Sequence, residues 1–453
     1  MTHSATHEWA VRNFGAALLF NKKKTKRLVG IATRLSEAKG TSLARLYDNW
    51  YDTKATYNLL KQPVMTPDSI QNPHRELAFQ NIEKWPGDVL AIEDASEFEW
   101  NHKEPIEGLG PIGSGRDCDQ GFILHSTLAI GITGNGKLKV LGLPFQQYYV
   151  RPPIREKKKK RAWSEDSIET DLWRNIIKEK ALPAVSKVIR ICDRGADIYE
   201  VFEETKKYGC SHIIRLKHDR MVQEENSPIK SLMTNQESMG QTQVEKRIKK
   251  GTKTEVFKLD LNWKSVSIRA PARPGVGIGK LPNLEETVVH VWGESEDGGK
   301  IEWFLYTDVV INSLEDAVKI VQYYALRWTI EIYHKILKTG LNAENLQLET
   351  AHALFAAISI MSIVGLRLLD LRERLRMDPD APAEESGLSE LELRVLGKYL
   401  KRDLKTVKCV ALAIGRLGGH QNRKSDGMPG VLSLWWGMSR FLGIMEGVHL
   451  ATN

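Results

Sequence analysis

At 453 residues the chain exceeds what a single hydrophobic core usually holds, so two or three domains are expected. Its 42% hydrophobic and 27% charged residues are those of a soluble globular protein, and no stretch approaches the roughly 18 uninterrupted apolar residues of a membrane span. A formal charge of +8 suggests a polyanionic partner. Cys118, Cys192, Cys210 and Cys409 lack the CxxC or Cys/His spacing of a zinc site and read as reduced thiols. The start, Met1 to Ala16, lacks the order of a signal peptide, so a cytoplasmic location is expected.

Residues 1–68 read as an all-helical, basic module. Leu28, Ile31 or Ala32, and Leu35 share one helical face, behind a cluster of Lys22, Lys23, Lys24, Lys26 and Arg27. A short helix over 43–50 and another over 54–60, capped by Asp52-Thr53, are expected next. Short helices with lysines at a helix start suit a DNA-reading module, and a structural bundle fits equally. From about residue 69 the pattern becomes strands: 88–94, 122–132 and 138–143, then a helix over 167–179, a strand 188–193, a helix 198–208 and a strand 212–216. The order β-β-β-α-β-α-β is that of the ribonuclease H-like nuclease fold, giving an α/β catalytic domain over 69–375. A β-rich insertion occupies about 220–310. A long helix over 314–337, an apolar helix over 351–375, and a helical region over 376–453 complete the chain. The basic run 155–161 is either a phosphate-contacting loop or a solvated one.

Two acids end buried strands, where an open α/β sheet places reactive groups: Asp94 after Val89-Leu90-Ala91-Ile92-Glu93, and Asp193 after Val188-Ile189-Arg190-Ile191-Cys192. Asp197 is better read as a helix cap. On the helix after the insertion, Tyr324, Arg327, Glu331 and Lys338 fall within an arc of roughly 60° at about 100° per residue. Ordinary salt-bridge decoration accounts for such a stripe on a solvated helix. On a helix packed through Trp328, Ile330 and Ile332 a polar stripe is costly unless it faces a cleft. Three gathered carboxylates repel one another unless cations intervene, and hard divalent ions, Mg²⁺ or Mn²⁺, take oxygen ligands. Two such ions about 4 Å apart clamp the attacking and leaving oxygens of a phosphodiester displacement.

These residues resemble a known family. Tyr324-Ala325-Leu326-Arg327-Trp328-Thr329-Ile330-Glu331, continued to Lys338, is similar to the Y-x2-R-x3-E-x6-K signature of bacterial insertion-sequence-four transposases, and within them to the transposon-five type. Cys192-Asp193-Arg194-Gly195-Ala196-Asp197 and Ala91-Ile92-Glu93-Asp94 resemble the family's two aspartate motifs, and Arg416-Leu417-Gly418-Gly419 extends the likeness toward the end. Gly195 stands where close relatives often carry Glu.

The resemblance implies a cut-and-paste DNA transposase. Asp94, Asp193 and Glu331 would be its DDE triad, binding two metal ions. The triad would nick the transposon end, use the 3′-hydroxyl to form a hairpin, and transfer the reopened ends to target DNA. Trp303 would stack on the flipped base. Arg215 and Lys217 would grip DNA near the cleavage point, with Tyr324, Arg327, Lys335 and Lys338 beside the triad, while Lys24 and Arg27 would read the transposon end. Helices around Leu434-Trp435-Trp436-Gly437 would join two protomers into the synaptic homodimer. A structure-selective nuclease of the same fold would share the triad without strand transfer, and a non-catalytic transposition inhibitor would keep DNA binding alone.

Overall fold

Helical periodicity and capping chemistry set the first elements: α1 (Ala5–Phe14), α2 (Lys22–Glu37), α3 (Trp50–Leu60) and α4 (Pro67–Lys84). The computed structural model describes residues 5–37, 43–101, 104–113, 119–134, 136, 138–152, 169–178, 182, 187–247, 254–271, 281–296, 298–423 and 426–452. The basic run 155–161 and Cys118 lie outside the described residues. As the spacing predicts, α2 buries Leu28, Ile31, Ala32 and Leu35. The start of α3 differs from the expected Asp52-Thr53 cap. Asn49, in extended backbone, accepts from the Asp52 amide at 2.9 Å, and Asp52 turns instead to Arg27 at 3.0 Å. Only a single turn, Leu43–Arg45, forms where a helix over 43–50 was expected. Helix α4 lies where the sequence reading begins strands. A capping box between Thr66 and Ser69, Pro67 at its first position, and buried Ile70, His74, Ala78 and Ile82 account for it.

The sheet begins with β1 (Val89–Trp100), β2 (Gly110–Ile112), β3 (Asp119–Ile132) and β4 (Leu138–Tyr149), an antiparallel group in which β3 pairs with β1, β2 and β4. After α5 (Leu172–Lys178), β5 (Val188–Cys192) lies parallel to β1. After α6 (Tyr199–Tyr208), β6 (Ser211–Arg215) lies parallel to β5. The resulting order β4-β3-β1-β5-β6 is the ribonuclease H-like arrangement, and β5 is buried along its whole length, Arg190 included.

Past α7 (Ile229–Thr234), strands β7 (Gly240–Arg247), β8 (Thr254–Ile268), β9 (Leu284–Ser295) and β10 (Lys300–Thr307) form an antiparallel set. They do not stand apart. β10 pairs antiparallel with β6, so the inserted strands continue the same ten-stranded sheet among the described residues.

The helix expected over 314–337 is broken into α8 (Leu314–Ala325) and α9 (Trp328–Lys335), followed by a π turn over Ile336–Gly340. Three-residue hydrogen bonds at Arg327 (amide to Tyr324 carbonyl, 3.0 Å) tighten the first junction. A five-residue bond from Leu341 to Ile336 loosens the second. A constant advance per residue therefore fails along this segment.

Helix α10 (Ala351–Met377) crosses behind the sheet against β4 and α4. It is long and apolar enough to cross a membrane by length and composition, and 78% of its apolar window is buried in this fold. The end of the chain forms α11 (Glu390–Leu400), α12 (Val407–Leu417) and α13 (Val431–Thr452). The last two cross closely because of glycine: a Cβ at Gly437 would lie 1.8 Å from the Ile414 carbonyl oxygen, and one at Gly418 1.9 Å from that of Ser433. Leu434 and Trp435 are thereby buried within this chain's own core, while Trp436 is exposed.

Candidate active site and nucleic-acid interface

Two registers place the aspartates. The parallel pairing of β1 with β5 ends at Glu93↔Cys192, whereas the antiparallel pairing of β1 with β3 runs on to Trp100↔Gln120. Asp94 is therefore not the end of its strand, as its acidic terminus suggests. It lies where the long β1 leaves its parallel neighbour, and Asp193 follows the last paired residue of that neighbour. Asp193 opens the turn Arg194–Ala196, its carboxylate accepting from the Gly195 amide at 2.7 Å. Gly195 has a physical reason here: a Cβ would meet the Trp173 ring at 2.7 Å, so any side chain at this position would need that ring to move.

Glu93, directly before Asp94, and Arg190, three residues before Asp193, form a bidentate pair at 2.7 and 2.8 Å, with side chains 0% and 1% exposed. Arg190 also donates to the Thr205 hydroxyl at 2.6 Å and the Trp173 carbonyl at 2.8 Å. A buried ion pair persists only when its remaining donors find partners, and this one does. It ties β1 to β5 at the point where their reactive side chains emerge. Pattern reading did not find it, because Glu93 and Arg190 look like interruptions in apolar runs.

Glu331 approaches from α9. The Arg327 guanidinium bridges the two elements, donating to Asp94 at 3.1 Å and to Glu331 at 2.5 Å. Burial pushes the Asp94 carboxyl up to about 6; Arg327 opposes this, and Asp193 and Glu331 add to it by repulsion. Both other acids thus act electrostatically on Asp94, with the Arg327 cation between Asp94 and Glu331. Among the described residues no three such side chains are gathered tightly enough to hold one ion as they stand. The donor set nonetheless fits a hard divalent cation: carboxylate oxygens only, one of them held unfavourably charged, and a guanidinium in the space between two.

A cleft of about 380 Å³ beside Asp94 and Glu331 is lined by these two acids, His334, Lys335, Lys338 and their neighbours, and Asp193 is not part of its wall. Lys335 is exposed. Lys338, in the π turn, pairs with Glu344 at 3.1 Å, lies over the Phe98 ring at 5.0 Å and donates to the Glu97 carbonyl. Burial pushes His334 down to about 3, so it adds no positive charge.

A second, smaller cavity of about 140 Å³ is lined by Arg327 together with Trp303, Tyr324, Trp328 and Arg215. Trp303 is buried and meets Tyr324 edge-on at 5.1 Å. Arg215 donates to the Glu302 carbonyl at 3.3 Å. Lys217 is exposed, and its backbone amide, with that of His218, is held by Asp197 at 2.6 and 2.8 Å. Asp197 also pairs with Arg220. Its carboxylate therefore fixes the segment after β6 rather than capping α6, whose N-cap, Ile198, makes no side-chain bond. In the N-terminal module Lys24 reaches Gln62 at 3.4 Å and Arg27 pairs with Asp52, both half-buried and remote in sequence from the carboxylates.

A ribonuclease H-like sheet with a carboxylate cluster beside a lysine-lined cleft, joined to a basic helical module, defines an enzyme acting on the phosphodiesters of nucleic acid. Residues 170–364 match the model of the transposase DDE domain, and residues 6–65 match that of the transposase DNA-binding domain. The chain carries both domains of a DDE transposase, a metal-dependent DNA endonuclease, and DNA is its partner. Asp193 and Glu331 fall inside the first match, and Lys24 and Arg27 inside the second.

Proposed function

We propose that this enzyme is a cut-and-paste transposase of the insertion-sequence-four type, with Asp94, Asp193 and Glu331 as its catalytic triad. The observation that carries the reading is that Arg327 joins Asp94 to Glu331 while Asp193, at the end of the neighbouring strand, raises the Asp94 carboxyl by repulsion. Two Mg²⁺ or Mn²⁺ ions held by these carboxylates would supply an activated water or 3′-hydroxyl and stabilise the leaving oxygen. With a cation on the carboxylates, the Arg327 guanidinium would offer its fork to a DNA phosphate. Lys335 and Lys338 continue the positive edge of the cleft along the backbone track. Trp303, Tyr324 and Trp328, with Arg215, offer aromatic walls and a guanidinium to a base turned out of the duplex, which hairpin formation requires. Lys24 and Arg27 read the transposon end, and a homodimer brings two ends together. The domains divide at about 68 and 375, leaving 376–453 for dimerisation.

The test is incubation with Mg²⁺ and a linear duplex carrying the element's own ends, resolved on a denaturing gel. A hairpin of doubled strand length, absent with Asp193→Ala, is the expected product. Nicks or plain breaks without hairpins would replace this reading with that of a nuclease lacking strand transfer.

A further inference from the structure

Phe20 breaks two rules at once. Its φ is +53°, in the left-handed region that bulky side chains rarely adopt, and its side chain is 93% exposed. Its neighbour Leu19 is buried at 1% exposure, so the turn does serve the core, but Phe20 takes no part in it. Nor does it staple the next helix. Asn21 caps α2 by accepting from the Lys23 amide at 2.8 Å, which puts Phe20 just before the cap. There an apolar residue normally packs against the fourth helical position. That position is Thr25, and the ring stays in water. Folding gains nothing from a phenyl ring at this place.

The surroundings say what the ring meets. Lys22, Lys23 and Lys26, all exposed, follow it on the first turns of α2, at the positive end of a 16-residue helix. The whole segment lies inside the match to the transposase DNA-binding domain. Lysines at such a helix end hold phosphates on either side of a groove, and a projecting phenyl between them is the shape of the apolar wedges that enter a base step.

We propose that Phe20 is a DNA wedge: with Lys22, Lys23 and Lys26 on the backbone, its ring enters the minor groove, partly unstacks one base step and bends the duplex. The proposal rests on the reading that this module binds DNA ends. The left-handed turn is the cost of pointing the ring outward.

The test uses full-length protein and a duplex of about 30 base pairs selected from a random library on the wild type, with 2-aminopurine placed at each step in turn. Wild type raises the emission at one step and bends the duplex by some tens of degrees, about 20–90°. Phe20→Asn, whose side chain tolerates the left-handed region, keeps Tm at or above wild type. It loses the emission change and the bend, and binds about tenfold more weakly, while the salt dependence of binding is unchanged. Phe20→Leu retains the emission change. A Phe20→Asn protein that bends and unstacks the duplex as wild type does overturns the wedge alone. Failure of the wild type to select any duplex overturns the DNA-end reading, and the wedge with it.

Discussion

Replacing Asp94 by asparagine should stabilise this fold in the absence of metal. The side chain is only 16% exposed, and its carboxyl is raised from 3.8 to about 6 by burial and by the charges of Asp193 and Glu331, against the pull of Arg327. At 1.36 kcal/mol per decade that rise is worth about 3 kcal/mol. The folded chain prefers the protonated acid, so the penalty is absent below about pH 4, grows through pH 4 to 6, and is complete at neutral pH. Asp94→Asn, a neutral side chain of the same shape, removes it, and Arg327 keeps Glu331 as a partner at 2.5 Å. Thermal and urea melts in EDTA at pH 7.5 should favour the variant by about 1–3 kcal/mol, with the difference closing toward pH 5. Added Mn²⁺ should raise the midpoint of wild type and leave that of the variant unmoved. A variant less stable than wild type at pH 7.5 without metal would mean that Arg327 holds Asp94 favourably charged, and the reasoning would fall.

Arg190→Met should destabilise the fold by about 3–5 kcal/mol, because Glu93 is left buried and unpaired; Arg190→Met with Glu93→Gln should recover most of the loss in a double-mutant cycle. Lys335→Ala should lower the salt slope of DNA binding by about one without changing Tm, since this exposed side chain lines the cleft. Gly437→Ala should loosen α12 from α13, seen as faster proteolysis of the C-terminal helices, because its methyl group would lie 1.8 Å from the Ile414 carbonyl oxygen.

The central sheet was legible because the start of β1 and most of β5 are short apolar runs, and the two aspartates follow those runs. Where Asp94 sits was less so: β1 continues past it because β3 is long enough to pair to Trp100, and one strand's length is set by its partner. Helix α4 carried its own signal in Thr66, Pro67 and Ser69, hidden by Pro73 and by polar residues between the buried ones. The stripe of Tyr324, Arg327, Glu331 and Lys338 was visible, yet its geometry assumed a uniform helix that the tight turn at Arg327 and the π turn after Lys335 do not provide. The Glu93–Arg190 pair and the hold of Asp197 on the Lys217 segment join residues whose nearness only the folded sheet creates.

The most direct test of the central claim is single-turnover cleavage of end DNA in Mg²⁺ by Glu331→Gln, alongside its DNA affinity. Binding equal to wild type with cleavage lost is the predicted result, because the substitution keeps the shape and removes the charge that a metal ion needs. Cleavage at the native rate would contradict the assignment of the triad.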